Sequence, residues 1–413
     1  MQSQRCKGMQ DLLPQDMLRF RHIEDVFRAH CRGWGYQEVR TPTLEYLHLF
    51  TATGTLTPST LGKVYSFLDW DGWSGERVVL RPDGTIPVAR LYINGLSERE
   101  TAKLFYVTNI FAFEETGSKN RERWQCGAEF LGGARLAADV EIISLLKEVA
   151  RKLGLNNVRL QLSHAGLVKA LIKELKLSRS EEAMVTSRVL DGDWQALMQA
   201  KTTKPELDRF LSPLLSLKGK SNAFLQNTKT LCQQVSLDLK FSMDDFINIA
   251  TLLDSLNCAY EIDITAIRSF EYYTGVCFQL LANGKKIGGG GRYDDLIPLM
   301  GGKNIPACGF ALYIDPIMEL LPLENKKSKK SKILIKGEKS TPEIAKTCFI
   351  LAQSLRESKH TVEVNFSEPE RDDYRWVISI SEGAPGQLTI TDQQTQQRWN
   401  VTSATEILNI LGG

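Results

Sequence analysis

Three short segments of the 413-residue sequence bring together side chains that can grip a small polar molecule. The first is Arg81-Pro-Asp-Gly-Thr85, which follows the apolar run Val78-Val79-Leu80. A carboxylate and a hydroxyl presented on a turn can hold a substrate ammonium group, although the same five residues also serve as an ordinary turn. The second is Trp124-Gln-Cys-Gly-Ala-Glu129. With a strand period of two, Gln125 and Glu129 share one face while Trp124, Cys126, Ala128 and Phe130 share the other. That pattern suits a binding wall and a half-exposed strand equally well. The third pairs Arg268-Ser-Phe-Glu-Tyr-Tyr-Thr-Gly275 with Gly288-Gly-Gly-Gly-Arg-Tyr-Asp294. Tyr272 and Tyr273 beside a glycine turn, and a glycine run next to Tyr293, suggest close packing around a small ligand. The glycine run lacks the G-K-[ST] ending of a phosphate-binding loop and the G-x-G-x-x-G spacing of a dinucleotide site.

These segments need a scaffold, and the hydrophobic pattern describes one. Met17, Phe20, Ile23, Val26 and Phe27 predict a helix from about Pro14 to Cys31, followed by a short strand from Tyr36 closed by Pro42. A strand-rich stretch is expected over 63–131, punctuated by Asp71-Gly72, Asp83-Gly84 and Thr116-Gly117. Asp139 to Leu153 reads as an amphipathic helix. From about 165 to 256 the chain turns Leu- and Lys-rich with helical periodicity, a helical insertion in which Ser242 and Asp245 mark a helix start. Strands are expected again at Tyr260–Ile264, Val276–Leu281 and Ala307–Ile314, with a hairpin turn at Asn283-Gly284. A lysine-rich linker at 322–332 separates a small C-terminal α/β domain over 333–413, patterned β-α-β-β.

Composition narrows the function. A net charge of +2 is not the basic excess of a dedicated nucleic-acid binder. The lysine run reads as a solvated tether before it reads as a nucleic-acid patch. No apolar stretch approaches a bilayer span, and the N-terminal residues lack the apolar core of a signal peptide. Eight scattered cysteines without a C-x-x-C pair point to reduced thiols in the cytoplasm. Neither they nor the five histidines have metal spacing, so neither a metal site nor a cofactor is expected.

In their order and spacing these segments resemble the histidyl-tRNA synthetases. Lys7-Gly-Met-Gln-Asp-Leu-Leu-Pro14 is similar to the family's opening motif, Arg81–Thr85 to its R-P-E-G-T, and Gln125 and Glu129 to its Q-x-G-x-E. Arg268–Gly275 is similar to R-G-L-D-Y-Y-T-G, and Gly290–Asp294 to G-G-R-Y-D. The likeness covers most of residues 7–321. It implies an α+β fold of the class II synthetase type: an antiparallel sheet with flanking helices, a helical insertion, and a shortened anticodon-binding-like domain. It also implies that Asp83, Thr85 and Gln125 hold the α-amino group of histidine and that Arg268 faces its carboxylate. Glu129 and Tyr273 would recognise the imidazole, with Tyr272 and Tyr293 beside it.

The departures from the family pattern are as informative. The F-R-x-E of motif 2 is Phe111-Ala-Phe-Glu114, so Ala112 stands where an ATP-binding arginine belongs. The G-x-E-R of motif 3 is Tyr313-Ile-Asp-Pro316, which replaces a second arginine with proline and the glycine with tyrosine. One preorganised donor to developing charge contributes about 10²–10³ in rate, so losing two costs on the order of 10⁴. No catalytic residue is therefore expected. Members of this family without aminoacylation activity serve as the regulatory subunit of ATP phosphoribosyltransferase, the first enzyme of histidine biosynthesis. The resemblance then implies a homodimeric core in a hetero-oligomer with the short catalytic subunit, and L-histidine as feedback ligand. tRNA is not expected as a partner, because the mostly acidic residues between Phe366 and Trp376 would repel phosphate. A diverged histidine–tRNA ligase is the alternative.

Overall fold

The structure is a computed structural model that describes residues 4–54, 56, 61–69, 75–112, 120–200, 211, 215, 218–234, 239–266, 272–322, 332–367, 374–381 and 388–412. The chain divides into two units, Met1–Leu323 and Glu324–Gly413. The first unit opens with α1 (Pro14–Gly33), β1 (Gln37–Glu38), β2 (Leu44–Tyr46), α2 (Leu47–Ala52), β3 (Ser66–Leu68) and β4 (Arg77–Leu80). It continues with α3 (Thr85–Gly95), the long hairpin β5 (Ala102–Phe111) and β6 (Glu122–Leu131), α4 (Arg135–Lys152) and β7 (Val158–His164). The insertion follows as α5 (Ala165–Glu174), α6 (Arg179–Leu190), α7 (Gln195–Gln199), β8 (Lys218–Gly219), α8 (Asn222–Gln234) and α9 (Lys240–Ser255). The chain then returns to the sheet through β9 (Glu261–Asp263), β10 (Val276–Ala282), β11 (Lys285–Arg292), α10 (Leu296–Leu299), β12 (Ala307–Tyr313) and α11 (Ile314–Leu320).

Nine strands form one sheet in the order β1-β5-β6-β12-β11-β10-β7-β9-β8. The run from β5 to β7 is antiparallel throughout. Strand alternation gives the sheet two different faces. Cys126, Ala128, Phe278, Phe310 and Leu312 look into a core built with α1, α4 and α9 through residues such as Phe27, Ile142, Leu146 and Phe246. Leu104, Tyr106, Leu131 and Tyr293 belong to a second core with Ile86, Val88 and Tyr92 of α3. The neighbouring Gln125 and Glu129 lie on this side as well, and they are 3% and 1% exposed. The half-exposed reading of this strand is therefore overturned: both of its faces are buried.

Two other expectations are corrected, for the strand-rich stretch and for the helix at Ser242. The strand-rich stretch is interrupted by α3, because Asp83 Oδ1 accepts from Ile86 N at 3.0 Å and Pro87 sits in a first turn where no N–H is needed. The glycine run is a strand, β11, which β10 and β12 pair from both sides despite the low strand propensity of glycine. The helix placed at Ser242 begins at Lys240, with Leu239 and Met243 buried in the core of the insertion. Asn283 and Gly284 both have positive φ, 49° and 78°, as a two-residue hairpin turn requires. The turns at Asp71-Gly72 and Thr116-Gly117 and most of the lysine linker lie outside the described residues.

The second unit contains β13 (Ile333–Gly337), α12 (Pro342–Glu357), β14 (Val362–Asn365), β15 (Trp376–Ile380), β16 (Leu388–Asp392), β17 (Arg398–Val401) and α13 (Ala404–Leu411). Its sheet has the order β14-β13-β15-β16-β17, two strands and a helix more than the β-α-β-β pattern. Among the described residues no helix is long and apolar enough to cross a membrane.

Candidate ligand-binding site

The site grows from the Arg81–Thr85 turn. Arg81 is buried, and its guanidinium donates to Asn109 O (2.7 Å), Asn109 Oδ1 (2.6 Å), Thr41 O (2.9 Å) and Pro42 O (2.7 Å). Four bonds to backbone and amide oxygens fasten the turn to the end of β5, so that α3 starts at a fixed place and Asp83 and Thr85 face the sheet. Opposite them the strands supply almost no side chain. Gly127 leaves room for the Tyr106 ring, which would lie 2.2 Å from an added Cβ, and Gly309 leaves room for Glu129, whose Oε2 would lie at 1.7 Å.

The result is a cavity of about 160 Å³. Asp83, Thr85, Gln125, Tyr272, Tyr273 and Tyr293 line it, and buried Glu129 lies behind its deep end, bonded to Thr85 and Tyr293. The sequence analysis placed all seven at one site, and the fold brings them together from four separate segments. The eighth, Arg268, lies outside the described residues. Thr85 Oγ1 donates to Glu129 Oε1 at 2.8 Å, Tyr106 donates to the same oxygen at 3.4 Å, and Tyr293 donates to Glu129 Oε2. The Tyr272 ring lies 4.7 Å from Tyr273 and 5.9 Å, edge-on, from Tyr293. Burial pushes the Glu129 carboxyl up to about 8, against the Tyr293 and Thr85 donors that favour its ionised form. Asp83 is likewise raised by burial, offset in part by the backbone N–H groups of Ile86 and Thr85.

Sequence reasoning missed the supports behind this cluster. Tyr106 stands directly across β5–β6 from Gly127 and also accepts from Gln125 Nε2 at 3.4 Å. An aromatic in an apolar strand gives no sign of such a role, but Gly127 opposite it was a usable signal. Arg292, fully buried, donates to Asp139 Oδ2 (2.9 Å), Asp294 Oδ1 (2.8 Å) and Arg135 O (2.8 Å). It anchors the adjacent Tyr293 to α4. Buried His164, one of the five histidines without metal spacing, accepts from Leu167 N at 3.1 Å and pairs with Asp245 at 3.1 Å. Among the described residues no group of three metal-ligating side chains is gathered.

Residues 8–317 match the family model described as histidyl-tRNA synthetase. A protein of Dehalococcoides mccartyi named ATP phosphoribosyltransferase regulatory subunit is 45% identical over 410 residues, 99% of this chain and 98% of that one. This chain belongs to the histidyl-tRNA synthetase family, on the branch of the ATP phosphoribosyltransferase regulatory subunits. A histidine–tRNA ligase of Methanosarcina acetivorans is more distant, 30% identical over 424 residues with 99% of this chain and 98% of that protein covered. The fold agrees with the class II synthetase type expected. A crystal structure titled as an ATP phosphoribosyltransferase regulatory subunit/histidyl-tRNA synthetase from Bacillus halodurans superposes with a TM-score of 0.78 at 24% identity, covering 92% of this chain and 99% of that one.

Family motif positions that differ are also visible in the structure. Ala112 N donates to Arg121 O at 2.9 Å, at the end of the β5–β6 hairpin. Pro316 occupies the first turn of α11, where Asp315 Oδ2 accepts from Trp124 N at 3.0 Å. Neither Ala112 nor Pro316 can offer a cation to a phosphate.

Proposed function

We propose that this chain is a non-catalytic, histidine-binding regulatory subunit of ATP phosphoribosyltransferase, acting on a short catalytic subunit and conferring feedback by histidine. The observation that carries the reading is the joint presence of a ligand cavity and the loss of nucleotide-binding cations. Asp83 and Gln125 suit an ammonium group, and Glu129 with Tyr293 suits a ring bearing two nitrogens. Ala112 and Pro316 stand where the family's arginines would clamp ATP. A chain able to hold histidine but not to activate it fits a sensor. The near full-length identity to proteins named as regulatory subunits supports the same reading. In this reading the chain forms a homodimeric core within the hetero-oligomer.

A diverged histidine–tRNA ligase is the second reading, favoured by the more distant relatives of that name. One experiment separates them. The purified chain is mixed with a short-form catalytic subunit, and phosphoribosyl-ATP formation is followed with and without histidine. Activity that requires this chain, or inhibition by histidine that appears only with it, supports the regulatory reading. If the two proteins do not associate and the chain instead catalyses histidine-dependent pyrophosphate exchange, the ligase reading replaces it.

A further inference from the structure

Two side chains at the mouth of the cavity have no part in the ligand contacts assigned above, Lys286 and Tyr313. Tyr313 reaches it by simple alternation. Along β12, Gly309, Ala311 and Tyr313 lie opposite Glu129, Gly127 and Gln125, so Tyr313 marks the Gln125 end. Lys286 reaches it through an irregularity. Gly289 pairs with Gln279 and Gly288 with Leu280, but then the register shifts and Lys286 pairs with Leu281. Ile287 is the extra residue of this β-bulge, and its fully buried side chain enters the core that holds Phe310 and Leu312. Lys286, next along the strand, is thereby turned to the cavity face. A Cβ on Gly289 would lie 3.3 Å from Lys286 Cε, so the bare glycine gives the lysine stem room. Lys285 pairs with Glu319 at 2.7 Å, whereas among the described residues no carboxylate pairs with Lys286.

We propose that Lys286 is a second cation for the carboxylate of the bound amino acid, in addition to the Arg268 that the family resemblance implies, and that Tyr313 closes the cavity just beyond it, so that the site accepts a free amino acid and rejects one extended at its carboxyl group. This rests on the reading of the cavity as a histidine site and names which form of histidine it takes. The charges run in the right order. Acidic Glu129 lies at the deep end, acidic Asp83 beside the ammonium position, and the cation of Lys286 at the mouth. Tyr313 lines the cavity at its Gln125 end, where a group extending from the carboxyl would lie.

The test is calorimetric titration of the full chain, and of its Lys286→Met and Tyr313→Gly variants, with three probes: histidine, histidinol and the non-hydrolysable adenylate analogue histidyl-sulfamoyl-adenosine. The unaltered chain should prefer histidine to histidinol by about tenfold or more, the contribution of one partly exposed charge-assisted contact. Lys286→Met should narrow that preference by weakening histidine alone. Lys286 is exposed, so this variant leaves the core intact. Tyr313→Gly should strengthen the adenylate analogue at least tenfold while changing histidine less than threefold. Equal binding of histidine and histidinol by the unaltered chain would overturn the proposal. So would Lys286→Met weakening both alike, or an adenylate analogue that already binds as tightly as histidine. Failure of all three probes to bind would instead defeat the histidine-site reading, and this proposal with it.

Discussion

At the deep end of the cavity Glu129 is 1% exposed and held by Thr85, Tyr106 and Tyr293, whereas at its mouth Lys286 lies in solvent on a strand bulge. The deep end is over-determined. Behind Tyr293, the guanidinium of Arg292 is locked between Asp139 and Asp294, and the glycines of β6 and β12 fit the side chains above them. A residue held from several sides cannot change without disturbing the fold, while one held from a single side can change at the expense of binding alone. On the proposed reading, the difference would explain how a synthetase scaffold keeps an amino-acid pocket while its nucleotide contacts disappear. The pocket is welded into the sheet core, and Ala112, Tyr313 and Pro316 sit at strand and helix ends where substitution is cheap.

Breaking the deep end should therefore cost stability first. Arg292→Leu leaves buried Asp139 uncompensated, while Asp294 keeps Arg135 at 3.3 Å, and chemical denaturation should show a loss of about 3–5 kcal/mol. A loss below about 1 kcal/mol would mean that the ion cluster is no mount for Tyr293. Gly309→Ala drives a methyl group into Glu129 and the Ala128 carbonyl and should cost about 1–3 kcal/mol, with histidine binding impaired in the folded fraction. Unchanged melting and unchanged affinity would show that the tight fit is not needed. Glu129→Gln keeps the shape, but it can no longer ionise opposite the ligand, and its amide nitrogen cannot accept from Thr85, Tyr106 or Tyr293 as a carboxyl oxygen does. Histidine affinity should fall about 10–100-fold, the range expected for a charged hydrogen bond, and the melting temperature should fall with it. Equal affinity in the calorimeter would remove Glu129 from the imidazole site.

The smallest effect is on pH dependence. Because the folded-state carboxyl of Glu129 is raised to about 8, the folded protein holds a proton that the unfolded chain releases near pH 4.5. Stability from this group is thus fully present below about pH 4.5 and declines as pH rises toward 8. The melting temperature of the unliganded protein should fall across that window, and less so in Glu129→Gln. A mouth variant such as Lys286→Met should leave the slope intact. If both variants flatten it equally, the contrast between the two ends fails.

Much of this was legible in the residues, for reasons that can be named. Gln125 and Glu129 share a face because strand alternation is rigid, so their convergence followed from the spacing alone. The helix at Pro14 and the helical insertion followed from strong apolar periodicity. What was not legible depends on partners distant in sequence. Thr85-Ile-Pro-Val88 is β-branched and proline-bearing and reads as strand or turn, yet Asp83 caps a helix there once Arg81 is clamped to Asn109 and Thr41. Four successive glycines carry no strand signal, yet pairing on both sides makes them one. The bulge that aims Lys286 arises from the shifted pairing of β10 with β11, which no local pattern encodes.

The central claim is that the cavity holds histidine, and direct titration of histidine into the purified, unaltered chain tests it. The account predicts a single saturable site per chain, with saturation reached well below millimolar histidine. Absence of binding at millimolar histidine would contradict it, and the cavity would then have to be assigned to another ligand.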